Sequence, residues 1–174
     1  LLDYFKEIKI DKSAGRAMPY AESAIPTSWA FLENPNLAGR MLSDSDERVF
    51  DVYLLLLIEF DGNPEGRIIL DYDKTAEYLA IQGRMTRAAY RRQITKPLRK
   101  LEERYNLIKF QPQYAEDAVI TLLSYDDPEK PYSYPKEWYF QIPDNFWKYG
   151  WNRKLSFSAK FCYLVNLAYV SISN

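Results

Sequence analysis

The sequence contains no histidine among its 174 residues and only one cysteine, Cys162. Without histidine there is no Ser/His/Asp or Cys/His catalytic set and no histidine-containing zinc site. A single cysteine excludes cysteine-based zinc fingers and any disulfide within one chain, which favours an intracellular, cytoplasmic location. The sequence also has no glycine-rich phosphate-binding loop. We therefore expect no metal, no cofactor and no small-molecule ligand.

Long apolar runs are also missing, since every unbroken stretch is far shorter than the ~20 residues that a membrane-spanning helix needs. No charged-then-apolar leader is visible, so we expect neither secretion nor membrane contact. Two pairs of carboxylates, at residues 71–73 and 126–127, remain as candidates for proton transfer. Both fall at predicted element boundaries, where acidic residues commonly cap helices and form turns. We therefore predict that the protein is not an enzyme.

The apolar residues that are present suffice for a core, at 47% hydrophobic and 16% aromatic content. The charges are distributed unevenly around a net charge of −1. Segment 84–104 holds eight basic residues and only two acidic ones, so it carries +6 while the rest of the chain carries −7. A cationic patch on an acidic body is typical of a protein that approaches phosphate with one face.

The first clear element is a helix in the stretch LSDSDERVFDVYLLLLIEF, residues 42–60. Ser43, Asp44 or Ser45 is expected to cap its start, because short polar side chains accept hydrogen bonds from free helix amides. Its apolar residues recur at helical spacing and predict one core face, formed by Val49, Val52, Tyr53, Leu56 and Phe60.

A short strand, RIIL at residues 67–70, and a short helix capped by Asp73 are predicted next. A third helix follows from about Thr86 to Arg104. Because Pro97 has no N–H to donate to the carbonyl of Gln93, we expect this helix to kink or divide there. Two strands, 107–114 and 118–125, then form a hairpin around the turn at residues 115–117.

This order, over about residues 44–125, resembles the winged helix-turn-helix family. The most specific part is the run from Thr86 through LRKLEERYNLIKF into the hairpin, because members commonly end the third helix with a Leu-rich turn before Leu-Ile enters the wing. Asn106 takes the place of the usual glycine, as suits a left-handed cap. The resemblance implies a mainly α, α+β fold, a winged helix (helix-turn-helix plus β-hairpin wing) with an N-terminal arm and a C-terminal helical extension.

The third helix has one apolar and one cationic side. On a wheel of 100° per residue the apolar residues fall within 80°; they are Tyr90, Ile94, Leu98, Leu101 and Tyr105. Like charges stand four residues apart at Arg87 and Arg91, which destabilises an isolated helix. Cations near its start also oppose the helix dipole. We therefore predict an anionic partner, double-stranded DNA, in preference to a solvated face, an acidic protein or RNA.

The resemblance implies roles for individual residues. Arginine can bind guanine bidentately and glutamine can bind adenine in the major groove. By the resemblance, the base-reading or groove-lining residues would be Thr86, Arg87, Arg91 and Arg92, near the N-terminal end of the third helix. Lys74 and Thr75, at the start of the second helix, would contact phosphate, and Gln113 and Tyr114 would lie at the wing tip. The complete predicted DNA-binding set is Lys74, Thr75, Arg84, Thr86, Arg87, Arg91, Arg92, Gln93, Lys96, Arg99, Lys100, Gln113 and Tyr114.

We divide the chain into an arm (1–43), a winged-helix domain (44–126), a linker (127–137) and an extension (138–174). The extension repeats an "IP", an aromatic cluster and an "LS" before a helix, as the segment beginning AIPTSW does. It is therefore interpreted either as the start of a second winged-helix unit or as a helix that completes the core or forms a dimer contact. A homodimer through the extension or the arm is possible.

Two DNA-binding roles compete. One is transcription regulation, and the other is replication initiation or partition of the kind encoded by bacterial plasmids, whose tandem winged helices this layout resembles. A winged helix that docks an acidic protein partner is the alternative from another functional class.

Overall fold

The computed structural model describes residues 24–83, 85–113, 116–143 and 145–172, so the predicted arm before residue 24, Arg84 and Tyr114 lie outside the described residues. The fold is mixed α+β, with helices packed around two small antiparallel sheets. Its elements in chain order are β1 (Ala24–Ser28), α1 (Trp29–Glu33), α2 (Ala38–Ser43), α3 (Glu47–Glu59), β2 (Arg67–Leu70), α4 (Tyr72–Tyr78), α5 (Arg87–Glu103), β3 (Ile108–Gln111), β4 (Ala118–Leu122), β5 (Tyr139–Pro143), α6 (Asn145–Lys148), α7 (Trp151–Lys154) and α8 (Phe157–Ile172).

Helix α3 lies at the centre of the core. The predicted core face is confirmed, and burial extends around the helix to every residue from 49 to 57. The predicted cap by Ser43, Asp44 or Ser45 is wrong, because the helix begins after Asp46, which makes no side-chain cap bond. The Asp46 carboxylate instead accepts hydrogen bonds from Lys100 and Tyr105, so tertiary contacts take the acid that the helix start would otherwise use.

The three-stranded sheet has the order β2–β4–β3, with both pairs antiparallel. The predicted strand at 67–70 and the predicted hairpin are therefore confirmed, with the hairpin strands shorter than expected. Alternation along β2 points Ile68 and Leu70 into the core and leaves Arg67 and Ile69 outside. The sheet thus closes one side of the core on which α3 and α5 pack.

Helices α4 and α5 differ in two details from the sequence prediction. The cap of α4 is Asp71 rather than Asp73, since the Asp71 carboxylate accepts hydrogen bonds from the amides of Asp73 and Lys74. Of the kink or division predicted at Pro97, the division is wrong, because α5 runs unbroken through that residue. Pro97 is itself buried beside Ile94 and Leu98, so core packing offsets the hydrogen bond that proline removes.

The second sheet joins the first and the last strand of the described chain. Strands β1 and β5 pair antiparallel, and each contains an Ile-Pro pair, at residues 25–26 and 142–143. Ile25 pairs directly with Ile142, so the two strands are related by a local two-fold axis at these equivalent positions. Each strand is followed by two short helices and one long helix, α1–α2–α3 in one case and α6–α7–α8 in the other.

The two long helices of these repeated segments differ in burial. Helix α3 is enclosed on all sides, whereas α8 buries only one face and packs with it against β5 and α2. Within the described ranges, no helix is both long and apolar enough to cross a bilayer.

Candidate nucleic-acid interface

Helix α5 is held in the core by the apolar stripe that the sequence predicts. All five residues of the stripe are buried: Tyr90, Ile94, Leu98, Leu101 and Tyr105. At the start of the helix, the hydroxyl of Thr86 accepts a hydrogen bond from the Ala89 amide. Just beyond its end, Asn106 has a φ of 51°, which confirms the predicted left-handed residue. The orientation of α5 is therefore determined by packing, and its cationic side faces outward.

Three cations form the outward row of α5. Arg92, Lys96 and Arg99 are exposed, and they fall within 60° of one another on the helical wheel. None of the three makes a hydrogen bond or an ion pair with a residue that the structure describes. We call this set the free cationic row. Its charges are not neutralised by the protein's own described groups.

Other cations of the same helix have partners on neighbouring elements. Arg87 lies 3.1 Å from a carboxylate oxygen of Asp73, and Lys100 is paired with the buried Asp46. Beyond the end of the helix, Arg104 lies 2.5 Å from Asp44. Acidic partners are missing from the first four turns of the helix sequence, but tertiary structure supplies them. Repulsion along α5 is therefore offset in part within the molecule.

Arg91 is placed differently from the base-contacting role predicted for it. Its guanidinium lies over the ring of Tyr72, 4.6 Å from the centroid. One Nη donates a hydrogen bond of 2.8 Å to the backbone carbonyl of Glu116, in the hairpin loop. Its Nε is buried without a described partner. Arg91 thus links α4, α5 and the hairpin, a placement that favours a supporting role over the predicted base contact.

The start of α4 also differs from the prediction of two phosphate contacts. Thr75 is buried and its hydroxyl donates to the carbonyl of Asp71, so the predicted contact through this side chain does not fit the structure. Lys74 is exposed and lies 2.9 Å from Glu59. The hydrogen bond to Glu59 raises the pKa of Lys74, so this lysine stays charged.

A hydrogen bond joins the beginnings of α4 and α5. The Tyr90 hydroxyl donates to Asp73, and this bond, together with the charge of Arg87, lowers the pKa of Asp73. Tyr90 is confirmed as a buried core residue. Its bond to Asp73 fixes the relative position of the two helices.

The remaining predicted residues are more scattered. Gln93 is half-buried and its amide donates toward the sulfur of Met85 at 3.4 Å, while Gln113 is exposed beyond β3. Lys109 is a further exposed cation, on the outer face of β3, that was not among the predicted DNA-binding residues. The alternation of polar and apolar residues along the strand was the signal that could have found it.

In the part of the chain that the structure describes, no group of three or more histidine, cysteine, aspartate or glutamate side chains is arranged to hold a metal ion. No protein-family model matches the chain, and no curated protein or solved structure is significantly similar to it. A functional proposal therefore rests on the residues and geometry described above.

Proposed function

We propose that residues 44–126 form a winged-helix domain that binds double-stranded DNA, with α5 in the major groove. The order of elements, α3–β2–α4–α5–β3–β4, supports this arrangement, because the helix pair α4–α5 is followed by the hairpin β3–β4. The hairpin pairs with β2 in one sheet, in the order β2–β4–β3. The major groove of B-DNA accepts an α-helix, and readers of this kind direct the N-terminal part of the second helix of the pair toward base edges.

The free cationic row carries the proposal. Arg92, Lys96 and Arg99 are exposed on a helix whose opposite side is buried. Arg92 and Lys96 stand four residues apart and repel each other, and no described acid approaches either side chain. A phosphate backbone supplies the missing negative charge over the length of the row.

Within this proposal the contacts divide into two groups. The base-edge candidates lie at the start of α5 and in its N-terminal half. They are the N-cap residue Thr86 and the helical residues Arg92 and Gln93. Lys96, Arg99, Lys74, Arg87 and Lys109 are the phosphate candidates, because exposed cations position a protein without reading sequence. Arg91 supports the hairpin, while Lys100 holds Asp46.

We further propose a role in replication initiation or partition, with transcription regulation as the competing role. The repeated order of elements and the local two-fold pairing of β1 with β5 support the tandem arrangement. In that interpretation α8 is the counterpart of α3, and residues 138–174 begin a second unit of the same type.

The direct test is selection from a randomised duplex pool, with sequencing of the bound fraction and fluorescence anisotropy on the enriched sequence. We expect an enriched motif for the wild type. Arg92→Ala should relax preference at one position of the motif. Lys96→Ala should weaken binding to all sequences and should reduce the slope of log K against log salt by about 0.9.

The matched control is Lys136→Ala, which removes an exposed lysine from the segment between β4 and β5. It should leave both motif and affinity unchanged. Binding without any enriched motif would restrict the function to non-specific DNA binding. Absence of DNA binding at moderate salt would overturn the proposal and would favour an acidic protein as the partner of α5.

A further inference from the structure

A polar cleft of about 470 Å³, whose lining includes no residue of α5, lies between the start of α3, the end of α4, α7 and α8. Its volume falls in the range of small-molecule sites, about 300–1,000 Å³. Leu79 and Ala80 form its apolar part. Its remaining lining residues are charged or polar.

One buried lysine binds both carboxylates of the cleft lining and offsets part of their negative charge. Lys160 is 1% exposed, and its ammonium group contacts both carboxylate oxygens of Asp51 at 2.8 Å and one oxygen of Glu47 at 2.7 Å. An ammonium group has three N–H donors, so these three contacts use all of them. The carboxylates therefore bind lysine, and the lysine is not available to a ligand.

Two arginines on the cleft lining form no such close contact with a carboxylate, although the charge of Arg48 also acts on Asp51. Arg48, on the first turn of α3, and Arg153, on α7, are exposed and form no ion pair with described residues. The guanidinium of Arg153 lies against Gly150, because a Cβ at that glycine would be only 3.0 Å from Nη2. Arg153 is thus folded back over Gly150, the N-cap residue of α7, while its side chain stays exposed.

The polar side chain of Asn152 is also committed. It is 4% exposed, and its amide nitrogen donates to the carbonyl of Tyr78 at 3.1 Å. This bond joins α7 to the end of α4 and holds the walls of the cleft together. The lining carries three cations against two carboxylates, and the two cations without ion pairs are both guanidinium groups.

We propose that this cleft is a phosphate-binding site in which Arg48 and Arg153 hold the phosphate group. A guanidinium presents paired N–H donors in a plane that matches two phosphate oxygens, so arginine binds phosphate more specifically than lysine does. The buried Lys160 ammonium fixes α8 against α3 and offsets one of the two carboxylate charges that would repel an anion, so the lining with its two arginines is cationic by one charge. The phosphate comes either from a free phosphorylated compound or from a DNA backbone.

Thermal unfolding of the full chain, followed by circular dichroism, tests the site with inorganic phosphate as the probe. Chloride at the same ionic strength provides the reference. Ligand bound only by the folded state raises Tm, and we expect a rise of about 3 °C for the wild type at roughly ten times the dissociation constant. Arg48→Ala and Arg153→Ala should each lose most of this rise.

Arg67→Ala is the matched control, because it removes an exposed arginine from β2 that does not line the cleft. It should retain the full response to phosphate. If Arg153→Ala does not fold, Arg153→Lys keeps the charge without the planar fork and should still show a reduced response. Equal responses of the wild type and the Arg153 variants, or no response of the wild type, would overturn the proposal.

A second measurement separates the two sources of phosphate. If the site accepts a DNA backbone phosphate, Arg153→Ala should weaken duplex binding about tenfold, as expected for one lost charged contact. If the site accepts a free phosphorylated compound, duplex binding by Arg153→Ala should equal that of the wild type while the phosphate response is lost. Either result supports a phosphate site, and this site remains testable if the protein does not bind DNA at all.

Discussion

Lys96 and Lys160 are both lysines within long helices, yet their surroundings are opposite. Lys160 is 1% exposed and bound by two carboxylates, whereas Lys96 is exposed and has no ion pair with any described residue. Burying a charge is costly unless it is paired, so Lys160 serves the packing of α8 on α3. An exposed cation costs little, so Lys96 is available to a partner. The same residue type thus indicates structure in one region and recognition in the other.

The largest effect is expected from Lys160→Ala. This change leaves Asp51, which is 7% exposed, without its main cation, and loss of one partner of a buried pair typically costs about 3–5 kcal/mol. Urea denaturation should show that decrease in the free energy of unfolding. The control is Lys154→Ala, which removes an exposed lysine at the end of α7. It should change the free energy of unfolding by less than about 0.5 kcal/mol. A loss below 1 kcal/mol for Lys160→Ala would remove the proposed contrast between the two lysines.

The same buried pair predicts a pH dependence. Burial raises the pKa of Asp51 from 3.8 to about 6, outweighing the opposing charge of Lys160. The folded state therefore binds a proton at a higher pH than the unfolded state does, and the Asp51 contribution to stability increases as pH falls from about 7 to about 4. Over this pH range, the contribution of Asp51 to the free energy of unfolding should change by about 3 kcal/mol.

Urea denaturation at several pH values measures this dependence through the difference between wild type and Asp51→Asn. The difference should shift in favour of the wild type on acidification, because the variant cannot bind the proton. A shift in the opposite direction would mean that attraction to Lys160 exceeds the effect of burial.

Adjacent residues Arg91 and Arg92 offer a smaller contrast within one helix. Arg91→Ala removes the contact with the Tyr72 ring and the hydrogen bond to the Glu116 carbonyl, and we expect a loss of about 1–2 kcal/mol. Arg92→Ala removes no described contact and should stay within about 0.5 kcal/mol of the wild type. Chemical denaturation of both variants measures the two changes in the free energy of unfolding. Equal decreases for the two variants would contradict the roles assigned to Arg91 and Arg92.

The smallest effect on stability is expected when the whole free cationic row is removed. In Arg92→Ala/Lys96→Ala/Arg99→Ala the like-charged pair four residues apart is lost, so the free energy of unfolding should stay constant or rise by a few tenths of a kcal/mol. The measurement is the urea midpoint at low salt. Destabilisation by more than 1 kcal/mol would show that the row supports the fold and is not held for a partner.

Local patterns in the sequence predicted much of the fold. The apolar stripe of α5, the core face of α3, the strand at 67–70 and the left-handed Asn106 all depend on near neighbours in the chain, and each is confirmed. The division at Pro97 was predicted from a local rule and is wrong, because burial of Pro97 between long-range contacts overrides it.

The site was harder to predict, since the partners of its cations come from distant segments. Asp46 and Asp44 approach Lys100 and Arg104 from more than 50 residues away, and the Glu116 carbonyl approaches Arg91 from the hairpin. Helix periodicity places a side chain on a face of its own helix but does not reveal what lies opposite. The distinction between paired and free cations therefore required the tertiary structure, and DNA binding itself stays a prediction.

The pairing of β1 with β5 has a consequence for the order of folding. About 110 residues separate the end of β1 from the start of β5, so this sheet closes the longest loop among the paired strands. Long-range contacts form slowly because loop closure costs entropy before any pairing is gained. The strand pairs of the α3-to-β4 segment close shorter loops, so this segment should assemble first. The two-stranded sheet should then join its strands late, as the last step of folding.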